Sequence, residues 1–292
     1  MPINRNESKR VKALRQALHK CIPKFPNNRV TLKSLEEQSL ESILIHYMNW
    51  AVRYVSIRPR AVHIESTASS DARWPVLKVE LTTFLSKAKS GEDLTPHLSL
   101  EPHTRGYTPA SSGKGMSVDR WADKDYLLNV MGYHHFHLGL TTEPKGFVCR
   151  TDDLVFAKVT RDQFNVIAIF DHSVFDMSRS PTGDMTKERD RLWRVFDEFS
   201  ARGLPPGSVY IPAMITTSGH SLDLVRRAND YASVIQEIDP KLDDISFIRD
   251  MYQLTNEPCP PKPKLAWDLN LLDLGLIDSS RDRFFIFRYG QN

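Results

Sequence analysis

Cysteine is nearly absent from this chain: three in 292 residues, Cys21, Cys149 and Cys259, widely spaced and with no C-x-x-C pair. An odd, scattered set excludes a disulfide framework and a cysteine-based zinc knuckle, and it fits a reducing, cytoplasmic setting. Long apolar runs are missing too. No stretch approaches the ~20 residues that a membrane-spanning helix needs, and Met1 to Ser8 lacks the apolar core of a secretory signal. No membrane partner is expected. Neither sign of charge dominates, with 39 Lys and Arg against 36 Asp and Glu for a net +3. That balance permits an anionic partner but does not create the basic field of a dedicated nucleic-acid binder. Two familiar signatures also fail. There is no G-x-S-x-G elbow, and Ser111-Ser-Gly-Lys-Gly115 lacks the glycine spacing and the Ser or Thr of a Walker A loop. Serine-hydrolase chemistry and nucleoside triphosphate hydrolysis are disfavoured accordingly.

What is present is an ordinary globular composition, 40% hydrophobic and 26% charged, in a chain long enough for one large domain or two smaller ones. Apolar residues at helical spacing predict helices over Ser8–Cys21, Ser39–Val55, Trp74–Lys89, Asp119–Val130, Lys187–Ala201, Ser221–Ile238 and Asp243–Thr255. Ile57 to His63 reads as extended, because Pro59 disfavours a helical Arg58. Leu154–Val159 and Phe164–Phe170, rich in β-branched and aromatic residues around a polar turn, predict a hairpin. Leu265–Leu276 with Phe284–Tyr289 predicts a second one, after a stiff connector at Pro258, Pro260, Pro261 and Pro263. The expected fold is α+β, with a helical N-terminal part packed on a central, mainly antiparallel sheet, additional helices and a C-terminal hairpin. Composition places a mainly helical region at 1–101, a flexible loop at 102–118 and an α+β domain carrying the histidines at 119–292.

The most informative run is Gly132-Tyr-His-His-Phe-His-Leu-Gly139, with three imidazoles in five residues. No packing requirement calls for that, since histidine titrates near neutral pH, hydrogen-bonds through two distinct nitrogens and ligates metals. If the run is a strand, His135 and His137 share a face, within about 7 Å of each other, and His134 points the other way. At the far end of the hairpin, Asp171 precedes His172. An antiparallel return brings His172 back near Arg150, Asp152 and Asp153. Such a set suits phosphodiester chemistry, with imidazoles moving protons and arginine stabilising charge on phosphorus. The alternatives are a divalent metal held by His135, His137 and His172, and a non-catalytic module that senses a nucleotide or metal; no cofactor is favoured. Plain structural roles compete as well, among them a surface ion pair of Arg150 with Asp152 or Asp153. A further candidate is Thr217, Ser218, Gly219, His220 and Ser221, where small hydroxyl residues around a glycine open a helix and could bind phosphate. An ordinary capped helix is the competing reading there.

Several phrases together resemble an uncharacterised bacterial protein family: Trp50 to Arg53 with Arg58 to Arg60, Gly91 to Ser99, the His134 to Gly139 run, Arg150 to Phe156, Asp171-His172 and Thr216 to Ser221. The likeness spans most of the chain and implies no particular activity. Locally, the arginine-led hairpin from Arg150 to Asp176, which ends in His172 and then Phe175-Asp176, is similar to the ends of RelE/HigB-type RNA-cleaving toxins. That resemblance implies a metal-free ribonuclease, a toxin or defence effector, in which Arg150 and His172 take part. RNA or a nucleotide would then be the ligand, and a protein partner such as an antitoxin is left unassigned.

Overall fold

The computed structural model describes residues 7–109, 119–176, 184–211, 214–255 and 257–291; residues 110–118 of the expected flexible loop lie outside them. In chain order the helices are α1 (Lys9–Cys21), α2 (Arg29–Glu36), α3 (Leu40–Ala51), α4 (Ser66–Ser69), α5 (Arg73–Val76), α6 (Lys78–Ser90), α7 (Tyr126–Met131), α8 (Lys187–Ala201), α9 (Leu222–Ile238) and α10 (Ile245–Gln253). The strands are β1 (Ala61–Ile64), β2 (Tyr133–His137), β3 (Asp153–Val159), β4 (Gln163–Asp171), β5 (Leu265–Asn270), β6 (Asp273–Asp278) and β7 (Arg283–Arg288). The class is α+β. No helix among the described residues is long and apolar enough to cross a membrane.

The chain forms two compact units, each assembled from separate segments. Met1–Val52, Glu101–Lys124 and Thr216–Gln291 make the first, and Arg53–Leu100 with Asp125–Ile215 make the second. Both are discontinuous in sequence, unlike the linear division that composition draws at 102–118.

In the first unit, Ser8 caps α1 by accepting from Val11 N, and Val11, Leu14 and Leu18 bury one face of the helix. That face joins Ile43, Leu44, Tyr47 and Met48 of α3, Ala228, Tyr231 and Ile235 of α9, and Trp267, Leu269, Leu274 and Leu276 of an antiparallel sheet in the order β5-β6-β7. The predicted C-terminal hairpin is therefore a three-stranded meander. The run read as one strand reverses after Asn270, with Leu271 at φ 54°. No Gly or Pro marks that turn, so composition hides it.

In the second unit the sheet order is β1-β4-β3-β2, with β1 parallel to β4 and the other pairings antiparallel. Both faces are covered, which explains the near-continuous apolar runs of β3 and β4. Phe136, Val155, Ala157, Phe164 and Val166 pack with Leu81, Phe84 and Ala88 of α6. Tyr133, Leu154, Phe156, Ala168 and Phe170 pack on the other face with Leu192, Val195 and Phe196 of α8. A register shift at Phe156/Ala157 places Ile167 as an extra residue in β4. Beyond the end of β1, side chains complete the edge of β4. Thr67 donates to Ile167 O at 2.6 Å, and Arg73 and Arg191 both donate to Ile169 O at 2.7 Å. The predicted helix at Trp74–Lys89 divides at Leu77, and the one at Asp119–Val130 begins only at Tyr126.

Candidate functional site

Strand pairing assembles the first candidate site in the second unit. His134 shares a face with Phe136, their rings 6.1 Å apart, while His135 and His137 lie on the other face. Register sets Asp153 opposite Asp171, so the chain leaving β4 carries His172 back to the start of β3. There His172 Nδ1 donates to Asp152 O at 3.0 Å, and its ring lies 5.5 Å from that of His137. Asp171 fixes the departing turn by accepting from Ser173 N and Ser173 Oγ.

The loop between β2 and β3 folds back on itself. Leu138 N donates to Thr151 Oγ1, Cys149 N to Thr141 O and Val148 N to Pro96 O. Gly139 makes this closure fit, because a Cβ there would stand 2.2 Å from Cys149 O. Thr151 N can then donate to His137 Nδ1 at 3.3 Å, and the neighbouring Arg150 donates to Leu98 O at 2.8 Å. His97 locks the end of β2 by donating from Nδ1 to His137 O at 2.7 Å, while Lys87 donates to its Nε2 at 3.2 Å. Gly139→Ala is expected to push the Cys149 backbone away, separate Thr151 from His137 and destabilise the protein by about 1–3 kcal/mol. Urea denaturation and the His137 imidazole signals in NMR would report both effects.

These bonds fix two complementary tautomers. A backbone N–H must donate and a carbonyl must accept. His137 is therefore unprotonated at Nδ1 and carries its proton on Nε2; His172 carries a proton on Nδ1, so in its neutral ring Nε2 is the basic nitrogen. Burial, with the charge of Arg150 second, lowers the His137 pKa from 6.5 to about 3. His137 is then a neutral hydrogen-bond donor at physiological pH, not a protonated acid. The sign for stability follows. The folded state keeps His137 neutral while the unfolded chain protonates below about 6.5, so the contribution is complete above that pH and is lost as pH falls toward 3. The loss is expected to be about 2 kcal/mol between pH 7 and pH 5, and His137→Gln should remove that component from urea titrations at the two pH values.

His135 is half-buried, its ring 5.0 Å from that of Phe175 and 5.8 Å from that of Phe156. Beside α8 lies an open cleft of about 370 Å³ lined by Thr67, Ser70, Asp71, Arg73 and Arg191. Its arginines are paired with Asp71 and Glu188.

Thr217 to Ser221 belongs to the first unit. There Thr216 N donates to His220 O and Gly219 N to Thr216 O, both at 2.8 Å, closing a tight turn. Gly219, at φ 81°, lies against Trp121, which a Cβ would approach to 2.6 Å. His220 is buried, its Nδ1 bonded to Ser218 Oγ at 2.9 Å, and its ring lies 5.3 Å from that of His46. Asp123, fully buried, completes a group in which one ligand atom each from His46, Asp123 and His220 lie within 4.8 Å of one another. Asn49 of α3 donates to Asp123 O at 2.9 Å, and Lys124 Nζ pairs with Asp123 Oδ1 at 2.6 Å. Burial, with Lys124 second, lowers the His46 pKa to about 3. Among the described residues this is the group of three His, Cys, Asp or Glu side chains spaced to hold a metal ion; His135, His137 and His172 do not form one. Sequence reading missed His46 and Asp123. The one local signal was a histidine inside the apolar run of α3.

No protein-family model, curated protein or solved structure matches the chain.

Proposed function

We propose that the second unit cleaves phosphodiesters, with RNA as substrate, without a metal, by proton transfer at His172 and hydrogen bonding of the phosphoryl oxygens by His137 and Arg150. The observation that carries this reading is the pair of opposed tautomers held by Thr151 N and Asp152 O, with the rings 5.5 Å apart. A base and a neutral N–H donor set side by side match the two needs of transesterification: removal of a proton from the attacking hydroxyl and stabilisation of charge on phosphorus. In this reading His172 Nε2 takes the proton from a 2′-hydroxyl as O2′ bonds to phosphorus. The bond from phosphorus to O5′ breaks, solvent protonates O5′, and His172 returns its proton to solvent. His137 Nε2–H and Arg150 hold the phosphoryl oxygens. The aromatic faces of His135 and Phe175 offer a surface on which a base can stack.

Thr217 to Ser221 lies in the first unit, and this reading assigns it no role. The test is incubation of the full chain with an RNA oligonucleotide without added divalent metal. Cleavage that leaves a 2′,3′-cyclic phosphate and a 5′-hydroxyl is expected, and a strand with deoxyribose at the cleaved position should resist. No cleavage of RNA, or undiminished cleavage by His172→Ala, would contradict the reading.

A further inference from the structure

We infer that the first unit holds a zinc-class divalent cation between His46, Asp123 and His220, and that this ion ties together the three chain segments from which the unit is built. Each segment supplies one ligand: His46 comes from Met1–Val52, Asp123 from Glu101–Lys124 and His220 from Thr216–Gln291. The ligands are therefore remote in sequence, and closing the large loops between them is where a cross-link has most to contribute.

The surroundings are those of a ligand set. His46 Nδ1 is buried with no hydrogen-bond partner among the described residues, an arrangement that costs free energy unless something occupies the nitrogen. His220 Nδ1 is held by the Ser218 hydroxyl, the outer contact that fixes the orientation of a metal-bound imidazole and assigns ligation to Nε2. Asp123 is held twice, through its carbonyl by Asn49 and through Oδ1 by Lys124. Two imidazoles and one carboxylate suit zinc and its neighbours, not magnesium or calcium. Bonds of about 2.0–2.2 Å to a tetrahedral ion set ligand atoms about 3.4 Å apart, so ligand atoms that lie within 4.8 Å of one another would draw together on binding by at most about 1.4 Å. The fourth position has no protein ligand in the group and would be filled by an enclosed water molecule. With Asp123 at 0% and His220 at 3% exposure, the role is structural.

Lys124 sharpens the test. In the metal-free protein its ammonium neutralises Asp123, and it competes electrostatically with an incoming dication. Lys124→Met should therefore weaken the metal-free protein, and zinc should restore it with at least tenfold tighter binding than in wild type. The full chain, purified without chelator, is expected to retain about one zinc-class ion per molecule by elemental analysis. After chelation, Zn²⁺ at a hundredfold excess over its Kd should raise the thermal midpoint by about 5 °C or more. His220→Ala and His46→Ala should each bind Zn²⁺ at least about tenfold more weakly, while His137→Ala should bind it as wild type does.

Wild type that neither retains metal nor is stabilised by Zn²⁺, Co²⁺ or Ni²⁺ would overturn the assignment. So would unchanged affinity in His220→Ala, or a Lys124→Met protein that is weakened but gains nothing from zinc. Where the histidine variants do not fold, the wild-type titration and Lys124→Met still decide. RNA cleavage is not a readout here, so this site and the proposed activity can fail separately.

Discussion

His172→Gln is expected to lose RNA cleavage as completely as His172→Ala, by about 10²- to 10⁴-fold, whereas His137→Gln should retain clearly more activity than His137→Ala. The asymmetry follows from the two tautomers. Glutamine carries an amide N–H near the place of an imidazole Nε2, so it can replace a neutral donor but cannot accept and release a proton. His172 is required as a base, because its Nδ1 proton is committed to Asp152 O. His137 is required as a donor, because its Nδ1 accepts from Thr151 N. Equal losses for His137→Gln and His137→Ala would show that His137 gives more than a hydrogen bond. Single-turnover rates separate these cases from changes in substrate binding.

Asp278→Ala is expected to destabilise the first unit by about 2–3 kcal/mol. Asp278 ends β6 and is fully buried, and its carboxylate accepts from Lys264 N at 3.0 Å, Ser280 N at 2.8 Å and the Tyr252 hydroxyl. Removing it leaves the buried Tyr252 hydroxyl and the part-buried N–H groups of Lys264 and Ser280 without their acceptor, and the buried one costs most. Burial pushes the Asp278 pKa up, but the bonds from Tyr252, Ser280 and Lys264 outweigh it and hold the group below its usual 3.8. A depressed folded pKa gives stability that is present above the unfolded value and lost as pH falls through the folded one. Asp278→Asn should therefore flatten the acid limb, and urea midpoints above and below pH 4 would show it. A cost below about 1 kcal/mol for Asp278→Ala would mean that solvent or another acceptor reaches the Tyr252 hydroxyl.

The first candidate site was legible because it is built from one strand run and one hairpin. Alternation separated His134 from His135 and His137, and antiparallel return placed His172 beside Asp152. Helix α8 was equally plain: Thr186 caps it, Glu188 and Asp190 occupy its first turn, and the boundaries match its periodicity. The grouping of His46, Asp123 and His220 was not legible, because nothing local relates His46 to Asp123 or His220 until α3 and two tight turns fold against one another. The stretch from Asp119 to Lys124 has helical-looking residues, yet Asp119 Oδ1 accepts from Trp121 N and starts a turn instead. That departure from helix delivers Asp123 inward. Likewise the composition of Thr217 to Ser221 shows small residues around a glycine, but the hydrogen bonds within the turn and the burial of His220 appear only in three dimensions.

The most direct test of the catalytic reading is long-range ¹H–¹⁵N NMR of the imidazole nitrogens in the free protein at pH 7. His172 should carry its proton on Nδ1 and His137 on Nε2, and His137 should stay neutral as pH is lowered to 5. A His137 protonated on Nδ1, or a His172 protonated on Nε2, would contradict the base-and-donor pair on which the proposed cleavage rests.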